Sequence, residues 1–184
     1  MMRRTSRRRN VSTRYGGSAW PHGRSVADQN LFPDQRDVLL AFLGGGVRFL
    51  IVGGWAFSAH AYIRTTKDLD LWVDPSPENA KRVWQALADF GAPLTTHNLS
   101  EQDFQSPTLV YQLGQPPARI DILPGLADLS FDQAWGGRVE ADLDGIRVPI
   151  IGLNDLITAK TGANRKRDRQ DISALNRVKK RRGL

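Results

Sequence analysis

The chain has 184 residues, of which 40% are hydrophobic and 24% are charged, and its formal net charge is +7. This composition predicts a folded domain with its own core, and the absence of cysteine excludes disulfides, zinc–thiolate sites and a cysteine nucleophile. The longest apolar stretch, residues 49–63, is too short and too mixed to span a bilayer, and the basic start precedes no apolar signal segment. We therefore expect a cytoplasmic protein without a membrane partner.

The positive charge is concentrated at the two ends of the chain. Residues 1–27 carry +7 and residues 160–184 carry +8, whereas residues 28–159 carry −8. Residues 1–30 are rich in Arg, Ser, Gly and Asn, so we expect a basic disordered tail there and a domain over residues 31–184. The tail is interpreted as a nucleic-acid-binding arm, a solvated extension or a transit-like segment. The acidic body suits a site that recruits Mg²⁺ before it binds phosphate.

Apolar spacing and turn residues predict the secondary structure in chain order. Helices are expected at about 33–43, 55–62, 77–90, 153–163 and 168–179. Strands are expected at 47–52, 68–73, 109–113, 119–123, 138–143 and 146–151. Gly44-Gly45-Gly46 ends the first helix, and Asp144-Gly145 predicts a hairpin between the last two strands. The pattern predicts an α+β fold with a mixed sheet of about five strands flanked by helices.

Two aspartates one residue apart, Asp68 and Asp70, lie in the second predicted strand. Side chains alternate along a strand, so both carboxylates are expected on one face while Leu69 lies on the other. Carboxylates roughly 7 Å apart on one face repel each other unless a cation lies between them. Mg²⁺ prefers such hard oxygen ligands and leaves room for substrate phosphates. The alternative is an amphipathic strand with a solvated polar face.

The context of this pair differs from that of a second Asp-Leu-Asp tripeptide. At 142–144 the tripeptide precedes Gly145, which makes a hairpin turn the better explanation. The pair at 68–70 instead follows a strand that ends in Gly53-Gly54 and a helix start. Glycine lets a phosphate approach the backbone, and a helix N-terminus presents free N–H groups to an anion. A tight strand-to-helix turn is the alternative explanation for the glycines.

Together these motifs resemble the core of the nucleotidyltransferase superfamily that includes DNA polymerase beta. The likeness covers roughly residues 35–178 and rests on Gly53-Gly54-Trp55-Ala56, Arg64-x-Thr66 and Asp68-Leu69-Asp70-Leu71. The motifs are similar to those of small antibiotic nucleotidyltransferases that act on aminoglycosides or lincosamides. They are equally similar to those of the abortive-infection (AbiEii-type) nucleotidyltransferase toxins.

The resemblance implies three catalytic carboxylates. Asp68 and Asp70 would be joined by a third on a neighbouring strand, for which Asp121 is the best match. The alternative for Asp121 is a strand residue that faces water or pairs with Arg119. The three carboxylates are expected to bind two Mg²⁺ ions, with Mn²⁺ as an alternative, and to activate a hydroxyl that attacks the α-phosphorus while pyrophosphate leaves.

Five further residues are expected to bind the nucleotide: Gly53, Gly54, Arg64, Thr66 and Lys160. The glycines would form the floor beneath the phosphates. Arg64 and Thr66 match the family pattern, and the alternative is loop structure. Lys160 borders the apolar face of its helix and could reach the triphosphate, or it could be a surface lysine whose stem covers apolar surface.

Farther along, Asp168 and Asp171 resemble the end of the family pattern. We interpret them mainly as a helix N-cap and as members of ion pairs. The basic residues 165–167 before them would bind phosphates or complement the helix dipole.

The expected function is transfer of an NMP from an NTP, ATP among them, to a hydroxyl acceptor. The chain has no substantial C-terminal domain for a deep pocket, which favours tRNA or another macromolecule, held by the basic ends. A small acceptor at a homodimer interface is also compatible with the sequence. The alternatives are a non-catalytic nucleotide-binding protein, one half of a toxin–antitoxin pair, and an RNA-binding module.

Overall fold

The computed structural model describes residues 30–62, 64–163 and 165–184. The basic tail predicted for residues 1–30 lies outside the described residues except for Asn30. None of the helices in the described part of the chain is long and apolar enough to cross a membrane.

Six strands form one mixed sheet. They are β1 (Phe49–Ile51), β2 (Leu69–Val73), β3 (Tyr111–Leu113), β4 (Ile120–Leu123), β5 (Val139–Leu143) and β6 (Ile146–Ile150). Their order across the sheet is β3-β4-β2-β1-β6-β5. The pairs β1–β2, β3–β4 and β5–β6 are antiparallel, whereas β1–β6 and β2–β4 are parallel. The predicted mixed α+β sheet is confirmed, and all six strands that were placed from the sequence belong to it, rather than about five.

Helices flank this sheet. They are α1 (Pro33–Gly44), α2 (Gly53–His60), α3 (Pro77–Phe90), α4 (Phe131–Gly136), α5 (Leu153–Ala163) and α6 (Lys166–Arg182), with a 3₁₀ helix at Glu101–Gln105. The sequence did not predict α4 or the 3₁₀ helix, because both are too short to show a helical period. The structure begins α2 two residues before the predicted start, so the glycine pair forms its first turn. The last helix is longer at both ends than the expected 168–179.

Local sequence explains why α3 forms where it does. Pro77 occupies its first position, where no backbone N–H is needed, and Gly91 ends it with φ +94°. Ala80, Val83 and Leu87 recur at helical spacing and are fully buried. Around this helix, α1 packs on α3, and on the sheet's flank α2, α5 and α6 contact one another.

The second Asp-Leu-Asp tripeptide forms the predicted turn. Asp144 and Gly145 have φ +52° and +77°, and they join β5 to β6 as a two-residue hairpin loop. The backbone N–H of Gly145 donates to Asp142 Oδ1 at 2.9 Å. The hairpin expected from Asp144-Gly145 is therefore confirmed.

The sheet topology gathers three chain segments at one edge. Because β1 and β2 are antiparallel, the end of β1 meets the start of β2, and the Val52 N–H donates to the Asp70 carbonyl at 3.0 Å. Because β2 and β4 are parallel, their first residues lie side by side. The glycine turn after β1, Asp70 and Asp121 are thereby brought to the same place.

Candidate active site

The three predicted carboxylates meet at this edge of the sheet. Asp70 and Asp121 are direct partners in the register of β2 and β4, so both lie on the same face of strands about 4.8 Å apart. Asp68 lies one residue before β2 and shares a guanidinium partner with Asp121. We call these residues, together with Arg119, the carboxylate cluster.

Arg119 bridges two of the carboxylates. Its Nη2 lies 3.0 Å from Asp68 Oδ2, and its Nε lies 3.0 Å from Asp121 Oδ1. The Nε contact is close but not aligned as a hydrogen bond, so it is an ion pair. The pairing of Asp121 with Arg119, which the sequence left open as an alternative, is present. Whether Asp121 is also catalytic stays a prediction.

Gln112 is a second residue at the site that the sequence did not indicate. It lies opposite Asp121 in the antiparallel register of β3 and β4, and its Nε2 donates to Asp121 Oδ1 at 3.2 Å. Only the register of two strands reveals this contact. Arg119 could have been found from sequence, because it precedes Asp121 by two residues and therefore shares its face.

The electrostatics of the cluster show an excess of negative charge. The pKa of Asp70 is raised to about 6: burial is the largest cause, the carboxylates of Asp121 and Asp68 add to it, and Arg119 and Arg165 oppose it. Burial also raises the pKa of Asp121, against the opposing effects of Arg119 and the hydrogen bond from Gln112. Three carboxylates therefore share one directly bound arginine, and a further cation would lower the free energy of their ionised state.

The glycine turn packs directly against the carboxylates. Gly53 has φ +62°, and a Cβ at this residue would lie 1.9 Å from Asp70 Oδ2. A Cβ at Gly54 would lie 2.3 Å from Thr66 Oγ1. Side chains at either position would collide with the predicted site residues. The first N–H groups of α2, which have no partner within the helix, start at this turn.

Arg64 and Lys160 belong to a separate cluster of charges. Lys160 is 7% exposed, and its Nζ lies 3.2 Å from Asp168 Oδ1 and 2.7 Å from Asp171 Oδ2. The Arg64 guanidinium bonds to Asp171 through Nη1 and lies 4.4 Å from the centre of the Phe57 ring. We call Arg64, Lys160, Asp168 and Asp171 the Lys160 cluster. Their expected contacts with a nucleotide stay predictions.

The Lys160 cluster joins α5 and α6 to the segment that precedes β2. The ion pairs expected for Asp168 and Asp171 are confirmed. Asp168 also caps α6, but from the third helical position, where its Oδ2 accepts the N–H of Arg165 at 3.1 Å. This network holds the backbone next to Thr66 in place.

Gln35, a residue of α1, holds the chain in place just before β2 and β4. It is fully buried, and its Nε2 donates to the Lys67 carbonyl at 2.6 Å and to the Arg119 carbonyl at 3.3 Å. The sequence analysis did not single it out. A signal was present, because Gln35 precedes Val38, Leu39 and Phe42 at helical spacing and is thus a polar residue on the apolar face.

The donor set suits a divalent cation in part. Within residues 30–62, 64–163 and 165–184, no three or more His, Cys, Asp or Glu side chains are arranged to hold one metal ion. Arg119 contacts one oxygen of Asp68 and one oxygen of Asp121. Asp70 and Asp121 nevertheless suit a divalent cation, since they present hard oxygens on one face and their negative charge is only partly balanced by nearby arginines.

Sequence comparison identifies the family. The family described as "Nucleotidyl transferase of unknown function (DUF2204)" matches residues 32–184. The chain belongs to this family. The prediction of a nucleotidyltransferase, an enzyme that transfers an NMP, is therefore confirmed. No curated protein sequence matches the chain.

Solved structures show the same fold. The crystal structure of the lincosamide antibiotic adenylyltransferase LnuA, with lincomycin bound, is 18% identical with a TM-score of 0.50, over 82% of this chain and 99% of that one. The solution structure of the antibiotic-resistance factor ANT(2'')-Ia is 15% identical with a TM-score of 0.47, over 79% and 80%. At such identity, the likeness to LnuA shows the nucleotidyltransferase fold alone.

Proposed function

We propose that this nucleotidyltransferase is Mg²⁺-dependent and moves an NMP from an NTP to a hydroxyl acceptor with release of pyrophosphate. The observation that carries the proposal is the register that sets Asp70 beside Asp121, against the glycine turn, in a chain of a nucleotidyl transferase family. A cation would balance the negative charge of these carboxylates, and phosphates are suitable ligands for the first N–H groups of α2 at the turn.

Each part of the site has a separate task in this reaction. Asp70 and Asp121 would hold the metal, which when bound neutralises phosphate charge and lowers the pKa of the attacking hydroxyl. Gly53 and Gly54 let the turn pack against Asp70 and Thr66, and the first N–H groups of α2 at this turn would bind the triphosphate. Gln35 holds the carbonyls at the starts of β2 and β4 and so fixes the spacing of the carboxylates. Catalysis would then consist of positioning and charge neutralisation.

The length of the chain does not decide the acceptor. The lincomycin-bound adenylyltransferase is matched over 99% of its length, so a protein of this size accommodates a small molecule. This removes the argument from shortness that favoured a macromolecule. The charge of α6 supplies a different one.

The outer surface of α6 favours a polyanionic acceptor, and among those we propose RNA, with tRNA as the first to test. Both acidic residues of α6 are buried in the Lys160 cluster, whereas its exposed charged side chains are all basic. We define the basic surface of α6 as Arg165–Arg167, Arg169, Arg177, Lys180 and Arg181. The positive charge of Arg165 lowers the pKa of Asp70, so the end of this surface acts electrostatically on the carboxylate cluster. From there, 17 residues of helix extend for about 25 Å.

A label-transfer experiment tests the reaction and the acceptor together. The protein is incubated with Mg²⁺ and each α-³²P-labelled NTP, and is offered pooled tRNA, itself, and a panel of lincosamides and aminoglycosides. We expect labelled tRNA with the wild type and with Asp142→Asn, the matched change in the hairpin, and none with Asp70→Asn. Label on an antibiotic instead would establish a small acceptor. Label on no substrate, with nucleotide still bound, would favour the non-catalytic alternative.

Salt dependence tests the surface. Lys180→Gln with Arg181→Gln is expected to weaken tRNA binding and to reduce its salt slope by about 2, at unchanged melting temperature. An unchanged slope would remove the basic surface from acceptor binding. A homodimer, an antitoxin partner and a cytoplasmic location stay predictions.

A further inference from the structure

Arg119 contacts Asp121, one of the two carboxylates that would hold the cation of the proposed reaction. It contacts Asp68 and Asp121 at 3.0 Å each, and its side chain is 31% exposed. We propose that Arg119 is an internal counter-ion that competes with the metal for these carboxylates and binds the NTP phosphates when the metal enters. This inference rests on the proposed function and adds a residue that the catalytic motifs do not include.

Only the side chain of Arg119 is able to move. Its backbone carbonyl accepts the N–H of Leu69 at 2.9 Å and the Nε2 of Gln35 at 3.3 Å. These two hydrogen bonds fix its backbone directly before the start of β4. The side chain, in contrast, is partly open to solvent and makes ion pairs, which are reversible. A change of rotamer therefore suffices to release the carboxylates.

Metal and guanidinium exclude each other at Asp121. A divalent ion bound to this carboxylate would lie within a few ångströms of the guanidinium, and like charges at that distance repel strongly in a site half shielded from water. Gln112 has no charge and can keep its hydrogen bond to Asp121 Oδ1 during the exchange. Arg119 is thus the group that has to leave Asp121.

The phosphates of the nucleotide are the anion that Arg119 would take next. A guanidinium presents several N–H donors in a planar fork that matches phosphate as well as carboxylate oxygens. The glycine turn, where the first N–H groups of α2 would bind phosphate, adjoins Asp70, the register partner of Asp121, so the exchange requires no large displacement. The metal and the NTP would then each assist the binding of the other, while the metal alone would bind weakly.

Titration calorimetry of the full-length protein tests this coupling. Mg²⁺ is titrated alone and in the presence of a non-hydrolysable NTP analogue. Arg119→Gln is expected to increase the affinity for Mg²⁺ alone about tenfold and to lower the affinity for the analogue. The factor by which each ligand raises the affinity for the other should fall about tenfold, a change within the usual range of such couplings. Arg36→Gln is the matched control, because Arg36 pairs with Asp144 in the hairpin, and it is expected to leave all three unchanged.

The results separate this inference from the proposed function. If Arg119→Gln lowers the melting temperature but leaves the affinity for Mg²⁺ alone unchanged or weaker, Arg119 is structural and the inference is wrong. Should that variant not fold, Arg119→Lys keeps the charge without the fork and is expected to raise the affinity about threefold. An unchanged affinity in a folded Lys variant also overturns the inference. If neither the wild type nor Asp70→Asn binds Mg²⁺ with the analogue, the proposed function itself fails.

Discussion

The carboxylate cluster and the Lys160 cluster use the same residue types for opposite purposes. The Lys160 cluster balances two cations with two carboxylates, and its residues Lys160, Asp168 and Asp171 are all buried. The carboxylate cluster sets three carboxylates against one arginine, and the side chain of Asp68 remains 39% exposed.

From this difference we propose a structural role for the Lys160 cluster and a ligand-binding role for the carboxylate cluster, while the nucleotide contacts expected for Arg64 and Lys160 stay predictions. A buried network that is electrically neutral and hydrogen-bonded meets its own desolvation cost and needs no further ligand. A partly exposed cluster with excess negative charge lowers the stability of the fold, and a bound ligand of opposite charge restores it. Substitutions in the first cluster should therefore lower stability, and substitutions of the carboxylates in the second should lower catalysis without lowering stability.

The largest expected effect is the loss of catalysis on removal of a carboxylate. Asp121→Asn should lower the rate of NMP transfer by about 10³-fold or more, because a metal that stabilises the transition state contributes several kcal/mol. The melting temperature should not fall. Rates at saturating NTP and thermal melts measure both. A loss of activity below tenfold would place the chemistry elsewhere.

The next effect is the loss of stability on breaking the Lys160 cluster. Lys160→Met leaves two buried carboxylates with one cation, and it should lower the free energy of unfolding by about 3–5 kcal/mol. Urea unfolding measures this, with the exposed Lys166→Met as the control, for which a change within about 0.5 kcal/mol is expected. A cost for Lys160→Met as small as that of the control would show that the cluster is not structural.

A pair of glycine substitutions isolates the close approach to Asp70. Gly53→Ala introduces both a strained φ of +62° and a collision with Asp70 Oδ2, and it should lower the free energy of unfolding by about 2–4 kcal/mol. Gly46→Ala has a φ of +64° and no neighbour within 4 Å, so only the backbone strain of about 1 kcal/mol is expected. Equal costs for the two variants in urea unfolding would contradict the packing of the turn against the carboxylate.

The smallest effect is a gain in stability that Asp70→Asn should produce at pH 7.5 but not at pH 4. The pKa of Asp70 is about 6 in the folded chain, above its ordinary value of 3.8, so the folded state binds the proton more tightly. Stability of the metal-free protein should therefore fall as the pH rises from about 3.8 to about 6, and the cost persists above pH 6. Asp70→Asn removes this cost and should stabilise the protein by about 1–2 kcal/mol at pH 7.5 but not at pH 4.

Urea unfolding at the two pH values checks this gain. Mg²⁺ with a nucleotide analogue should stabilise the wild type only, and so reduce the difference in free energy of unfolding between the wild type and Asp70→Asn. A wild type as stable as Asp70→Asn at both pH values, without metal, would show that the cluster carries no excess charge.

The sequence predicted the elements of the site better than their contacts. The hairpin at the second Asp-Leu-Asp tripeptide was predicted correctly from the glycine that follows it, since a two-residue turn is a local property. The sheet class followed from alternation and turn residues. The helix α4 was missed because six residues are too few to show a period.

What the sequence could not supply is the partner of each charge. The pairing of Lys160 and Arg64 with Asp171 depends on how α6 packs beside α5 and α2. Their expected contacts with a nucleotide stay predictions. The contact of Gln112 with Asp121 depends on the register of β3 and β4, which turn chemistry alone did not fix. Long-range packing decides which basic residues are already neutralised, and therefore which carboxylates lack a partner.

The most direct test of the carboxylate cluster as the binding site is a calorimetric titration with a non-hydrolysable Mn²⁺–NTP complex. The wild type, Asp70→Asn and Asp142→Asn are compared, because the two variants make the same change in the two Asp-Leu-Asp tripeptides. The account predicts equal binding by the wild type and Asp142→Asn, and a loss of about tenfold or more in Asp70→Asn. Equal affinity of the two variants would contradict the assignment of the site.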